Sequence, residues 1–250
     1  MMSPRLLFLV FLLLITPLGI NFSYAELIPK EILHRADEAR GNLEGVIWKV
    51  HIFSLENERQ QERALHVKAR GFDYLATMIS PPNVKGQQLL MVERNMWFTK
   101  PGIKKPVPIS SRQKMVGGAA NGDIASTKYA DEYEATLLPD QVLEGEGCYV
   151  FDLKAIDKKA TYDRIKYWIS KKRLVGVKAE FFTVSGKIFK SAVFEYKNEV
   201  QIKGQPQPFV SKMVITDAFI NQNVTTLTFS EPNLVKVPDS TFDLNLLITR

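Results

Sequence analysis

The chain has 250 residues, with 33 Lys and Arg against 27 Asp and Glu, a single Cys and 45% hydrophobic residues. This composition excludes a disordered chain, a collagen-like repeat and a disulfide-stapled miniprotein. One Cys and three His also leave no residue set for a multi-cysteine or histidine-rich metal centre. We therefore expect neither a metal nor a cofactor.

Residues 1–25 have the layout of a cleaved secretory signal peptide. Arg5 precedes an apolar run at 6–15, and small residues at Ser23 and Ala25 mark a cleavage site before Glu26. A membrane anchor is the alternative, but the run is shorter than the roughly 20 apolar residues of a spanning helix. We expect residues 26–250 to form one mature, mildly basic domain outside the cytoplasm.

The mature chain opens with a helical pattern and then changes to strands. Pro29 suits a first helical turn, apolar residues follow at helical spacing, and Gly41 can end the helix. From Gly45 onward every second residue is apolar, which predicts a strand with one buried face. Similar stretches separated by turn residues indicate an antiparallel meander. They lie at 72–78, 88–92, 96–99, 148–153, 165–169, 175–181, 188–196, 208–216 and 224–230.

The segment 101–133 interrupts this rhythm. Ser110 and Gln113 have the spacing of a capping box and predict a short helix, and Asp123 can cap a second one over 124–133. Small residues at 117–122 lie between the two. Long excursions within a domain are often lids or binding loops, and the alternative is a simple crossover.

This pattern leaves the apolar face of roughly ten strands to be covered by two short helices. Either the sheet folds onto itself, or a cavity remains that suits an acyl chain or a similar apolar ligand. Such a ligand needs no specific polar motif, because each buried methylene contributes about 0.8 kcal/mol. No nucleotide-binding or hydrolase motif is present, and the scattered basic residues argue against nucleic-acid binding.

Several segments, in this order, resemble the outer-membrane lipoprotein-sorting proteins of the LolA/LolB-like superfamily, in the branch found beside exporters. They are 70–75 (RGFDYL), 79–82 (ISPP), 85–90 (KGQQLL), 95–98 (NMWF), Pro101 and 105–110 (KPVPIS). The segment 117–124 (GGAANGDI) departs from many relatives, which are richer there in Phe and Ser. That difference bears on the cargo.

The resemblance implies a mainly β fold: a strongly curved antiparallel sheet, or open half-barrel, covered by an N-terminal helix and a helical lid. It also implies a non-enzymatic periplasmic carrier that binds acyl chains of lipoproteins or lipids and moves them toward the outer membrane. Its partners would be that cargo and an inner-membrane ABC- or RND-type transporter, with transient membrane contact. The alternative function is an accessory or docking subunit of such an exporter.

Two sets of residues are candidates for this function, and each also has a purely structural interpretation. The cavity candidates, which can equally pack in the core, are Trp48, Val50, Tyr74, Met78, Leu90, Met96, Trp97, Phe98 and Phe151. The candidates for closing a lid are Arg70, Gly117, Gly118, Ile124 and Tyr129, with a surface arginine as the alternative for Arg70.

Two further features have simpler explanations than a site. Basic residues around the excursion can meet an acidic partner or lipid headgroups, or be a solvated loop; they are Lys104, Lys105, Arg112 and Lys114. Cys148 begins an apolar strand and is expected to be a buried small side chain. A hydrolase would need a nucleophile, a base and an orienting acid, and no such arrangement is visible.

Overall fold

The computed structural model describes residues 28–124 and 128–247. The predicted signal peptide at 1–25 lies outside the described residues. None of the helices within the two described ranges is long and apolar enough to cross a membrane.

The described residues form two α-helices, three short 3₁₀ helices and seventeen strands. The helices are α1 (Pro29–Glu38) and α2 (Tyr129–Glu132), and the 3₁₀ helices are Pro82–Val84, Asn121–Asp123 and Asp239–Phe242. The strands up to the excursion are β1 (Val46–Glu56), β2 (Arg59–Arg70), β3 (Asp73–Ser80), β4 (Gln88–Val92), β5 (Asn95–Thr99), β6 (Val107–Ile109), β7 (Lys114–Val116) and β8 (Ala119–Ala120). The later strands are β9 (Tyr133–Leu143), β10 (Glu146–Ala155), β11 (Arg164–Ser170), β12 (Gly176–Phe182), β13 (Ile188–Glu195), β14 (Asn198–Ile202), β15 (Gln205–Phe209), β16 (Lys212–Asp217) and β17 (Val224–Leu234).

Thirteen of these strands make one antiparallel sheet, in the order β6-β5-β4-β3-β2-β1-β17-β16-β13-β12-β11-β10-β9. Its first and last strands, β6 and β9, do not pair with each other, so the sheet is open. The pairs β7-β8 and β14-β15 are separate two-stranded hairpins. The prediction of a mainly β chain with one large antiparallel sheet and few helices is confirmed.

Contacts between distant strands show that this sheet is strongly curved. Eight strands separate β4 from β10 in the sheet order, and a flat sheet would hold them roughly 40 Å apart. Yet the Arg94 guanidinium, in the turn after β4, donates hydrogen bonds of 2.7 and 2.9 Å to Asp157, in the loop after β10. The inner face of the sheet is therefore the concave wall of a trough.

The alternating strands place their apolar residues on that inner face. In β1 the side chains of Val46, Trp48, Val50 and Ile52 are buried, as the period of two predicts. Burying each such side chain contributes about 1.5–3 kcal/mol. They belong to one large core cluster that also includes residues of β3, β11, β12 and β13.

Helix α1 packs its apolar side on the same core. Pro29 occupies its first turn, and Gly41, with a φ of 102°, follows its end in a conformation that favours glycine. Ile32, Leu33 and Ala36 are buried in the core cluster. The helix begins and ends where the sequence predicts.

The excursion at 101–133 differs from the prediction. The helix predicted from Ser110 is wrong: the Gln113 side chain does accept the Ser110 amide, but within a turn that leads into β7. Val116 and Lys114 then pair with β8, so the segment satisfies its backbone as a hairpin. Of the second predicted helix, 124–133, only Tyr129–Glu132 is α-helical, and residues 125–127 lie outside the described part.

Candidate functional site

The hairpin β7-β8 crosses the trough over the central strands β1, β17 and β13. At its turn, Gly117 approaches so closely that an added Cβ would lie 1.8 Å from Ser54 Oγ and 2.2 Å from Thr225 Oγ1. The Gly118 amide donates to Thr225 Oγ1 at 2.8 Å, and the Gly118 carbonyl accepts from Lys190 Nζ at 2.7 Å. Only glycine at 117 permits this contact, since its φ of 55° is also disfavoured for other residues.

Beside this hairpin the trough holds a cavity of about 690 Å³. Its size lies within the range of roughly 300–1,000 Å³ that small-ligand sites occupy. Its walls are mainly apolar, and the hairpin contributes Lys114 together with the small residues at 117–120. The apolar lining comes from Leu55, Ala119, Phe182, Val184, Phe189 and Ile215.

One buried ionic network faces the cavity. Lys190 Nζ donates to Asp123 Oδ2 at 3.1 Å, and both side chains are almost fully buried. The Tyr162 hydroxyl lies 2.7–2.8 Å from the two carboxylate oxygens of Asp123, to which it donates, and the Ala120 amide also donates to Asp123. Burial, together with the charge of Asp123, raises the pKa of Tyr162 well above its usual value, so the phenol stays a proton donor. The network fixes the hairpin to β13 and places a buried polar group in the mainly apolar wall.

Two more ion pairs lie at the cavity, and Asp217, which also lines it, accepts backbone amides. Lys114 donates to Glu56 at 2.6 and 2.7 Å, and Arg112 donates to Asp163 at 2.7 Å. The basic cluster expected around the excursion is therefore partly neutralised, while Lys104 and Lys105 are exposed. These groups are arranged to hold the walls together.

A second cavity, of about 430 Å³, lies on the other side of the hairpin and shares Lys114 with the first. Met78 and Phe98, both cavity candidates, line it together with Leu89 and Met115. The hairpin thus divides the apolar space of the trough into two compartments.

Most other cavity candidates lie in the packed core. Trp48, Val50, Tyr74, Met96 and Phe151 belong to the core cluster and line neither compartment. The Tyr74 hydroxyl donates to the Met96 sulfur and the Asn121 carbonyl, and burial raises the pKa of this tyrosine above its ordinary value. In the structure these five residues therefore pack in the core.

Leu90 and Trp97 lie on the outer face of the sheet. They pack with Leu75 against the C-terminal segment, where Val237 and Phe242 cover them. Since neighbouring residues of a strand point to opposite faces, Leu89 faces the trough and Leu90 cannot. The structure places these two candidates away from the cavity.

The residues proposed to close a lid do not lie together in the structure. Gly117 and Gly118 line the large cavity, and Ile124 is buried just beyond it. Arg70 donates to the Val237 carbonyl at 3.1 Å and to Asp239 at 2.6 Å, so it holds the C-terminal segment instead of the excursion. Tyr129 is buried.

Tyr129 belongs to a well-filled region under α1 and α2. Its ring makes edge contacts with Tyr133 and Tyr167, and the Arg40 guanidinium lies 5.3 Å from its centroid. Asp37 of α1 accepts the Ala130 amide at 2.9 Å, which joins the two helices. Burial raises the pKa of Tyr129 to about 12.

The residues that the sequence reasoning missed are Asp123, Tyr162, Phe182, Phe189 and Lys190. One signal was available, because Lys190 stands on the inward stripe of β13 with Ala192 and Phe194. A lysine at a buried position of an alternating strand must have a partner. The partner, Asp123, lies 67 positions away and no local pattern indicates it.

Other chemistry-bearing residues do not meet at this site. Within 28–124 and 128–247, no three His, Cys, Asp or Glu residues are grouped to hold a metal ion. His51 pairs with Glu62 at an exposed position. Cys148 is buried, and burial raises the pKa of its thiol.

Comparisons with known proteins agree with this architecture. A family model described as an uncharacterized protein matches residues 72–249. The chain is similar to a LolA superfamily protein from Nitrosomonas europaea, with 28% identity and a TM-score of 0.78 over 87% of this chain and 98% of that chain. No curated protein matches the chain.

Two further solved structures share the fold at lower identity. One is a domain described as an outer membrane lipoprotein-sorting protein from Vibrio parahaemolyticus, with 20% identity and a TM-score of 0.74 over 88% of this chain and 97% of that one. The other is a DUF1329 family protein from Desulfovibrio piger, with 18% identity and a TM-score of 0.73 over 87% and 97%.

Proposed function

The chain belongs to the uncharacterized protein family whose model it matches, within the LolA-like superfamily of outer-membrane lipoprotein-sorting proteins, and we propose that it is a periplasmic acyl-chain carrier. In this proposal residues 1–25 direct export and are removed. The mature chain binds acyl chains of lipoproteins or lipids and moves them toward the outer membrane. It acts by binding alone, without catalysis.

The observation that carries this proposal is the cavity of about 690 Å³ between the hairpin and the sheet, which the side chains of the protein leave vacant. Its apolar wall removes methylenes from water, and about ten of them contribute about 8 kcal/mol before the costs of association. The basic side chains at the cavity, Arg112, Lys114 and Lys190, are each paired with a carboxylate, which suits retention of a ligand better than chemistry upon it.

The hairpin β7-β8 is the element that we assign to closure, in place of a helical lid. Its glycines, Gly117 and Gly118, let the backbone lie directly on the sheet. Lys190 and Thr225 fasten it from below. A ligand that fills the cavity would contact this hairpin along Ala119, so binding and hairpin position are coupled.

A pyrene-labelled fatty acid tests the proposal with delipidated mature protein. We expect saturable binding, and we expect Leu55→Trp to weaken it because the indole enters the cavity from its wall. Val142→Trp is the matched control, since Val142 is exposed on β9, away from the cavity. Wild-type protein that binds no pyrene probe, or equal binding by both variants, would contradict the proposal.

A further inference from the structure

Three loops of the sheet come together at one end of the large cavity. They are the turn 57–58 after β1, the loop 183–187 between β12 and β13, and the loop 218–223 between β16 and β17, and we call them the rim. The five strands β1, β17, β16, β13 and β12 are consecutive neighbours in the sheet, so these loops are adjacent. The Asn57 amide donates to Asn223 Oδ1 at 2.8 Å, and the Ala218 amide donates to the Phe189 carbonyl at 3.0 Å.

The cavity reaches this rim. Val184, Ser185, Asp217 and Asn223 all line it, and all four lie in or next to the rim loops. A ligand that enters between these loops would pass directly from the surroundings of the rim onto the apolar wall. The rim is thus the mouth of the cavity.

The rim carries large apolar side chains in solvent. Val184 is 86% exposed, Phe219 is 64% exposed and Ile220 is 43% exposed. This exposure belongs to an ordered turn, because Asp217 Oδ1 accepts the amides of Phe219 and Ile220 at 2.8 and 2.9 Å. Lys187 extends beside them, with its ammonium 5.5 Å from the centroid of the Phe219 ring.

We propose that the rim touches a lipid bilayer, with Val184, Phe219 and Ile220 inserted at the interface while the cavity mouth faces the acyl chains. Aromatic residues favour the membrane interface, and a lysine beside them can keep its charge among the headgroups. Anionic lipids add about 1 kcal/mol for a basic residue near the surface. The biological role of this contact rests on the proposed function, whereas its geometry is given by the rim alone.

A bilayer suits this surface better than a protein partner does. A specific protein interface buries about 800 Å² on each side with a packed centre. The rim instead offers three projecting side chains on two narrow loops around an opening. Such a shape enters a soft interface and leaves it again, which transfer of a lipid requires.

The first test is flotation of the mature protein with vesicles of phosphatidylethanolamine and phosphatidylglycerol. We expect the wild type to float and the triple variant Val184→Ser, Phe219→Ser, Ile220→Ser to bind about tenfold or more weakly, since each lost apolar contact costs of the order of 1 kcal/mol. Val142→Ser is the matched control, because Val142 is 71% exposed near the β9-β10 turn at the opposite end of the strands. A wild type that stays unbound, or a triple variant that floats equally, overturns the inference.

Binding of the soluble pyrene probe separates this inference from the proposed function. The double variant Phe219→Ser, Ile220→Ser should keep that binding, since both side chains project into solvent and neither lines the cavity. If flotation depends on the rim but no probe binds, the bilayer contact is supported and the proposed acyl-carrier function is contradicted. A further outcome is a triple variant that floats like the wild type but fails to move lipid toward the outer membrane in cells. That result would indicate a protein partner and refute the bilayer contact.

A local label gives a second, independent readout. In a Cys148→Ser background, an environment-sensitive nitrobenzoxadiazole group is attached at Phe219→Cys or at Val142→Cys. Emission should rise on addition of the vesicles for the label at position 219 and stay constant for the label at 142. Equal responses at both positions would contradict insertion through the rim.

Discussion

The two ends of the trough use the same sheet and similar residues, yet one is filled and the other is vacant. Under α1 and α2, Tyr129, Tyr133, Tyr167 and Phe194 pack edge to face, and the Arg40 guanidinium lies over the rings of Tyr129 and Phe194. At the other end, Phe182 and Phe189 line a space beside the hairpin segment 117–120, which consists of glycine and alanine. The cavity therefore arises because the hairpin β7-β8 crosses this end of the trough with small residues, and not because the strands of the sheet differ there.

This comparison gives the segment 117–120 (GGAA) a specific meaning. Glycine at 117 and 118 brings the hairpin backbone down onto Ser54 and Thr225, while the lack of side chains leaves space beside it. A side chain at 117 would collide with Ser54 and Thr225, so the hairpin could not lie at this depth in the trough. In the proposed carrier, the small residues at 117–120 would therefore help to set the volume available for cargo.

The largest expected effect compares a phenylalanine from each end. Phe151 is fully buried, and Phe151→Ala should lower the free energy of unfolding by about 3–5 kcal/mol through lost burial and the void that remains. Phe189 is only partly buried and lines the vacant space, so Phe189→Ala should cost about 1 kcal/mol. Urea unfolding of both variants measures the difference. Equal losses would mean that the two ends are packed alike.

The same pair should respond in the opposite order when the pyrene probe is used. Phe189→Ala changes the wall of the cavity and should alter probe affinity, whereas Phe151→Ala should leave the affinity of the folded fraction unchanged. An affinity change confined to Phe151→Ala would contradict the position that we assign to the ligand.

The next effect concerns the ionic network that fastens the hairpin over the vacant end. Lys190→Met leaves the Asp123 carboxylate buried without its cation, a change that generally costs 3–5 kcal/mol. We expect about 3 kcal/mol, because Tyr162 and the Ala120 amide still donate to Asp123. The loss is measured by urea unfolding.

The double variant Lys190→Met, Asp123→Asn is the control for that cost. It removes the unpaired charge and should recover part of the lost stability, as uncharged replacements of buried pairs often do. A double variant that is less stable than Lys190→Met alone would show that the pair is needed for more than mutual neutralisation.

The sequence predicted the sheet well where strands alternate and poorly where they do not. Strand β1 shows a clear period of two, and its inward face is as predicted. Strand β9 was missed because it is an edge strand, mostly exposed on both faces, with Pro139 inside it. Strand β2 was missed as well: its first half is polar and exposed, although Leu65, Val67 and Ala69 in its second half do alternate.

The candidate site was harder to predict than the fold, for a physical reason. Alternation places Trp48 inward, but Phe189 adjoins the inward-facing Lys190 and reaches the trough where the pairing of β12 with β13 shifts register. Whether a neighbour fills the space opposite depends on where the hairpin β7-β8 lies, and that is fixed by the distant residues Ser54, Thr225 and Lys190. No local pattern contains this information.

The smallest expected effect tests whether the curvature that creates the trough depends on the contact between its walls. Arg94 bonds Asp157 with two hydrogen bonds and Glu132 with one, and it thereby joins strands that are far apart in the sheet order. Asp157 is 43% exposed, so Asp157→Asn should cost less than about 1 kcal/mol at neutral pH. A small loss of stability would mean that the continuous pairing of strands in the sheet, and not this ion pair, sets the curvature.

The pH dependence of that small cost identifies its origin. The hydrogen bonds from Arg94 lower the pKa of Asp157 in the folded protein, so its contribution is complete above the unfolded value of about 3.9 and is lost as the pH falls through the lower folded value. The stability difference between wild type and Asp157→Asn should therefore be constant near neutral pH and disappear under acid. Burial raises the pKa of Glu132 and the charge of Asp157 adds to that rise, so the comparison is made in a Glu132→Gln background. A difference that persists below the folded pKa of Asp157 would show that the substitution acts through the loop 156–163 itself, and the ionic contact between the walls would then have no part in holding the trough.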